Sequence, residues 1–186
     1  MENLKAKLLA YTPCCEQEAR DLELILYALE RLESPLTRDN AIAHFSASSW
    51  IVNPDRTKAL MAWHNIYRSW AWSGGHADGE ADLLKVALRE AREETGLRVI
   101  EPVLSGIYSV EVLPVNAHVK RGRFVSAHLH LNATFLLTAD DTQQIHCKPD
   151  ENSGVQWMPL DQAADVREEP FMALIYSKLN RKLADI

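Results

Sequence analysis

The stretch SGGHADGEADLLKVALREAREETGL, residues 73–97, decides how the rest of the chain is read. It opens on a glycine-rich loop, Ser73 to Gly79. A strongly periodic helix follows from Asp82 to Thr95, and Gly96 stands where a left-handed cap closes such a helix. At about 100° per residue, Leu83, Leu84, Ala87, Leu88 and Ala91 share an arc that faces a core. Lys85, Arg89 and Arg92 lie opposite, toward water. Glu90, Glu93 and Glu94 gather on the border between the two arcs. Like charges four residues apart each cost roughly a few tenths of a kcal/mol, part of which Arg89 offsets through Glu93. Acids crowded beside a core face suit a divalent cation, because hard ions such as Mg²⁺ take carboxylates, waters and substrate phosphates as ligands. Without an ion the same residues form a solvated acidic helix end.

Outward from this helix, strands and helices alternate. Glu16 to Glu33 spaces Leu22, Ile25, Leu26 and Leu29 as an amphipathic helix, ended by Ser34 and Pro35. Ala41 to Val52 reads as a strand, Asn53-Pro54-Asp55 as a turn, and Lys58 to His64 as the returning strand of a hairpin. Leu97 to Val115 is strand-like. Phe124 to Leu137 alternates apolar residues with Ser126, His128, His130, Asn132 and Thr134, the pattern of a half-buried strand with a polar, solvent-facing row. Lys148 to Gly154 is a polar loop, Val155 to Pro159 a short strand, and Glu169 to Leu183 a closing helix. A mixed sheet covered by helices, in the α+β class, is expected. Residues 1–38 read as an N-terminal helical extension and residues 39–186 as the main domain.

Composition narrows the function classes. With 186 residues, 47% hydrophobic and 25% charged, the chain is an ordinary globular protein. Its formal net charge of −6 argues against a nucleic-acid partner, so an anionic substrate has to be received by a metal or a local basic patch. Cys14, Cys15 and Cys147 form neither a disulfide framework nor a zinc-type spacing. No stretch approaches membrane-spanning length, and a reducing cytoplasm is the expected compartment. A homodimer is left open.

Gly75, followed after a spacer by Arg89-Glu90-Ala91-Arg92-Glu93-Glu94-Thr95-Gly96-Leu97, closely resembles the Nudix box. The flanking strand order resembles that family's αβα sandwich over roughly Ala41 to Leu183. One position departs from the pattern: the first box Glu belongs at 81, where this chain has Ala81, with Glu80 one residue earlier. The resemblance implies that Glu90, Glu93 and Glu94 bind Mg²⁺ or Mn²⁺, that Arg89 orients them, and that Glu93 and Glu94 take part in catalysis. It also implies a further acid ahead of the Val155 strand, Glu151 in preference to Asp150. Asp82 fits as the N-cap of the helix.

The implied activity is hydrolysis of a phosphoanhydride bond in a nucleoside diphosphate linked to another moiety. His76, Arg121, Arg123, His128 and His130 are the candidates for substrate binding, since guanidinium groups suit phosphate and the histidine row can line a cleft. Trp63, Trp70 and Trp72 fit either a core or a stacked base. Two other readings belong to different classes. One is a Nudix-fold module that binds a nucleotide without cutting it. The other is an isoprenoid-diphosphate isomerase, whose catalytic Cys setting Cys147 does not resemble.

Overall fold

The computed structural model describes residues 1–120 and 122–186. In chain order its elements are α1 (Glu2–Leu9), α2 (Glu16–Arg31), β1 (Ala43–Val52), β2 (Lys58–His64), β3 (Ser69–Ala71), β4 (Ser73–His76), α3 (Leu83–Thr95), β5 (Glu101–Pro102), β6 (Ser109–Val115), β7 (His118–Lys120), β8 (Arg123–Val125), β9 (His128–Thr138), β10 (Asn152–Pro159), α4 (Leu160–Ala164) and α5 (Pro170–Leu183). The class is α+β with a mixed sheet, as expected. The chain folds as two compact units, and β1, α3 and β9 each run through both.

The first unit holds residues 1–48, 74–87 and 106–135. Its strands lie in the order β4-β1-β9-β6, with β6 antiparallel to β9 from Ser109↔Thr134 to Val115↔His128. Gly74 permits β4 to lie close on β1, because a Cβ there would meet Ser48 Oγ at 2.6 Å and Ala47 O at 2.7 Å. Helix α2 packs on β6: Gln17 Nε2 donates to Val110 O at 3.1 Å, and Asp21 Oδ2 accepts from Val112 N at 2.9 Å.

That packing overturns the solvent-facing row expected along β9. Asn132 and Thr134 are fully buried, and so is Glu111 opposite them. Asn132 Oδ1 accepts from Ser46 Oγ and Ser48 Oγ at 3.0 and 2.9 Å, while its amide donates to Glu111 Oε2 at 2.9 Å. Ser109 Oγ bridges Glu111 and Glu18, and Glu18 also accepts from Tyr11 Oη at 2.6 Å. Alternation along a strand reports that two faces differ, not that one is wet. Here paired polar groups satisfy the buried face.

The second unit holds residues 49–73, 88–105 and 136–186. Its order is β10-β2-β1-β9-β5, with β3 also on β2. The β1–β2 turn is set by Asn53, whose Oδ1 accepts from the N–H groups of Thr57 and Lys58, both at 2.9 Å. Helix α5 buries Ile175, Tyr176, Leu179 and Leu183. Tyr176 stacks on Trp50 at 5.2 Å and meets Trp72 edge-on at 5.3 Å, while Trp63 and Trp70 pair edge to face. Trp50 is fully buried, while Trp63, Trp70 and Trp72 are partly exposed.

Several boundaries differ from expectation, among them the start of β10, at Asn152 rather than Val155. The strand-like run from Leu97 is interrupted: Glu101–Pro102 and Ser109–Val115 are strands, and Val103 to Gly106 between them form bends. Ser73 to His76 is a strand rather than loop, and Phe124 belongs to a small β7–β8 hairpin ahead of β9. No helix among the described residues is long and apolar enough to cross a membrane.

Candidate active site and metal centre

Helix α3 buries Leu83, Val86, Ala87 and Ala91, and it ends where Gly96 adopts φ +74°. Only glycine fits there. The conformation is left-handed, and a Cβ would lie 2.6 Å from the His146 ring. Asp82 immediately precedes the helix; its backbone carbonyl accepts from Val86 N at 3.2 Å, and its carboxylate lies 3.5 Å from Lys7 Nζ. Glu80 Oε1 accepts from Asp82 N at 3.0 Å and Oε2 from Lys85 Nζ at 2.7 Å. The Lys85 hydrogen bond, then that of Asp82, holds the Glu80 carboxyl below the usual carboxylate range.

At the far end of α3 the structure brings Glu90, Glu94 and Glu151 together. One carboxylate oxygen from each lies within 4.8 Å of the other two. Glu90 and Glu94 share a face because they are four residues apart. Glu151 arrives from the turn before β10 and is positioned by its neighbour Asn152. The Asn152 amide donates to Glu94 O at 3.0 Å, its Oδ1 accepts from Lys148 N at 3.1 Å, and the Glu151 carbonyl accepts from Asn65 N at 3.1 Å. Arg89 Nη2 donates to Glu90 Oε1 at 2.7 Å, which fixes one oxygen of that carboxylate.

Glu93 stands apart from this group. Its side chain is 47% exposed, 3.4 Å from Lys148 Nζ and 4.0 Å from Arg89 Nε. Lys148 also lies 3.2 Å from Glu151 Oε2. Partial burial pulls the Lys148 ammonium down, but its hydrogen bonds to Glu151 and Glu93 outweigh this and raise it above the ordinary lysine value. Asp150 is exposed.

Of the remaining sequence candidates, His76, Arg123, His128 and His130 lie in the first unit. His76 is on β4, and His128 and His130 are on β9. The His76 and His130 rings are 4.8 Å apart, and those of His128 and His130 are 5.2 Å apart. Arg123 is exposed on β8, and Arg121 lies outside the described residues. Sequence reasoning missed His44 on β1, whose ring lies 4.9 to 5.1 Å from those three. A signal was present: His44, Ser46 and Ser48 are polar at every second position of a strand.

Three hard oxygen donors converge from a helix face and a turn, a set that could hold a divalent cation. The NUDIX domain family model matches residues 43–179, so the chain belongs to the Nudix family. Solved structures share the fold at low identity. A Nudix hydrolase from M. smegmatis, RenU, is 18% identical, with 77% of this chain and 87% of that one covered and a TM-score of 0.57. A MutT protein from Methanosarcina mazei Go1 is 14% identical over 76% and 95%, with a TM-score of 0.59. A C. elegans Ap4A hydrolase, solved as a binary complex, is 15% identical over 76% and 95%, with a TM-score of 0.52. No curated protein sequence matches the chain.

Proposed function

We propose that this protein is a hydrolase dependent on Mg²⁺ or Mn²⁺ that cleaves a phosphoanhydride bond of a nucleoside diphosphate linked to another moiety. The observation that carries the reading is the convergence of Glu90, Glu94 and Glu151 within 4.8 Å. The donor set fits the ion, since Mg²⁺ and Mn²⁺ prefer carboxylate oxygens and complete their shells with water and substrate phosphate. Glu90 and Glu94 hold the ion, Glu93 adds its charge from outside the inner shell beside Lys148, and Arg89 keeps Glu90 in place. When bound, the ion neutralises the diphosphate and makes water a better nucleophile at neutral pH.

Glu151 accepts the proton of the attacking water at a carboxylate oxygen. The water oxygen bonds to phosphorus while the bridging P–O bond breaks, and the leaving phosphate departs with the bond electrons. The Ap4A hydrolase with this fold supports a nucleotide-like substrate class.

Ala81, in place of the first box Glu, favours the second reading, a nucleotide-binding module without turnover. Incubating the protein with a panel of nucleoside-diphosphate compounds and Mg²⁺ or Mn²⁺, with products read by mass, separates the two. A hydrolase releases a mononucleotide or phosphate. Saturable nucleotide binding with every compound left intact leaves the binding module standing.

A further inference from the structure

We propose that His44, His76 and His130 form a second metal site that takes a late transition-metal ion of the Zn²⁺ class and cross-links three strands. One ring nitrogen of each residue lies within 4.8 Å of the others. The residues come from β1, β4 and β9, neighbours within the first unit. The site is therefore built from paired strands rather than from a loop. This inference does not rest on the hydrolase reading, since its donors are nitrogens and none of them belongs to the carboxylate group.

His44 supplies the independent observation. It is 4% exposed, and its Nε2 is buried without a hydrogen-bond partner. Its Nδ1 lies 3.0 Å from the carbonyl of Asn40, a contact that requires the proton on Nδ1. Nε2 then carries a lone pair with nothing to receive it, a costly arrangement for a buried polar atom. A backbone carbonyl on the second ring nitrogen is also how metal-bound histidines are commonly held in one tautomer and orientation. His128, with Nδ1 2.8 Å from Ser126 O and its ring 4.9 Å from His44, stands beside the three as a candidate fourth ligand.

The chemistry of the pocket favours a cation over an anion. Phosphate would require protonated rings, yet the buried Nε2 of His44 has no acceptor to take up such a proton. Adjacent imidazoliums would also repel one another. Neutral imidazoles suit Zn²⁺, Cu²⁺, Ni²⁺ or Co²⁺ and are poor ligands for Mg²⁺. Zinc–nitrogen bonds of about 2.0–2.1 Å put tetrahedral ligand atoms roughly 3.3 Å apart. Binding therefore draws the rings inward, which the partly buried His76 and His130 can do by rotation. Three protein ligands leave a fourth position for His128 or water.

The test uses the full-length protein, stripped with a chelator and titrated with Co²⁺ in excess Mg²⁺, which occupies the oxygen-ligand site. One equivalent of Co²⁺ should give the intense visible bands of a four-coordinate nitrogen site, displaced by one equivalent of Zn²⁺. His76→Ala and His130→Ala should lose those bands. Glu94→Gln, and His146→Asn as a distant histidine control, should keep them. Zn²⁺ should raise the melting temperature of the wild type and leave that of His130→Ala unchanged. Weak octahedral bands in the wild type overturn the proposal whether or not the variants fold. So does a spectrum that survives His130→Ala or vanishes with Glu94→Gln.

Discussion

The side-chain amide of Asn152 donates a 3.0 Å hydrogen bond to the backbone carbonyl of Glu94, tying the turn that carries Glu151 to the last turn of α3. Both partners are buried. This bond caps a helix-terminal carbonyl and sets where Glu151 stands relative to Glu94. Asn152→Ala should cost about 1–3 kcal/mol of stability, the usual cost of leaving a buried polar group unsatisfied. It should also raise the Mg²⁺ concentration needed for half-maximal activity. Denaturant titration and metal-dependent kinetics check the two effects. Unchanged stability would show that water replaces the amide.

The two acids at the end of the box occupy different environments. Glu94 lies within the three-carboxylate group and is 7% exposed, whereas Glu93 is half exposed and paired with Lys148. Glu94→Gln should lower kcat by at least about a hundredfold, on the scale of lost electrostatic stabilisation of a transition state. Glu93→Gln should cost about tenfold less than that. Steady-state kinetics at saturating metal decide it, and equal losses would place Glu93 in the ion's inner shell.

Lys148 lies 3.2 Å from Glu151 and 3.4 Å from Glu93, where its charge would compete with a bound metal ion. Lys148→Met should therefore tighten the apparent Mg²⁺ affinity by a few-fold, with the gain shrinking as salt screens the charges. Metal titration of activity at low and high ionic strength measures it. Weaker affinity in the variant would instead make Lys148 a positioning residue for Glu151.

Glu80 stands one residue before the place of the missing box acid. It accepts from Asp82 N and pairs with Lys85 in the first turn of α3. Glu80→Ala should lower both activity and melting temperature, and adding Ala81→Glu should restore much of each. The pH dependence follows from the depressed carboxyl. Its folded-state pKa lies below the unfolded one, so its stabilisation is present above the ordinary carboxylate range and lost as pH falls through the lowered pKa. The melting difference between Glu80→Ala and wild type should close in acid. A difference that persists there would trace to packing rather than charge.

Local patterns were legible in the residues alone. The periodicity of residues 83–95, Gly96 at φ +74°, and the Asn53 turn all depend on neighbours within a few positions, and the sequence states them directly. So did the pairing of Glu90 with Glu94, which a helix dictates through its four-residue spacing. Tertiary structure decided the rest. Whether Glu93 or Glu151 completes the acidic group depends on where the turn before β10 lands, which Asn152 fixes through a bond to a residue far away in the chain. Whether the polar face of β9 is wet depends on α2, a helix from the other end of the sequence. His44 joins His76 and His130 only because β1 lies between β4 and β9. Helix and turn preferences act over single turns of chain. Strand neighbours and covering helices are chosen by non-local burial, which no short window of sequence contains.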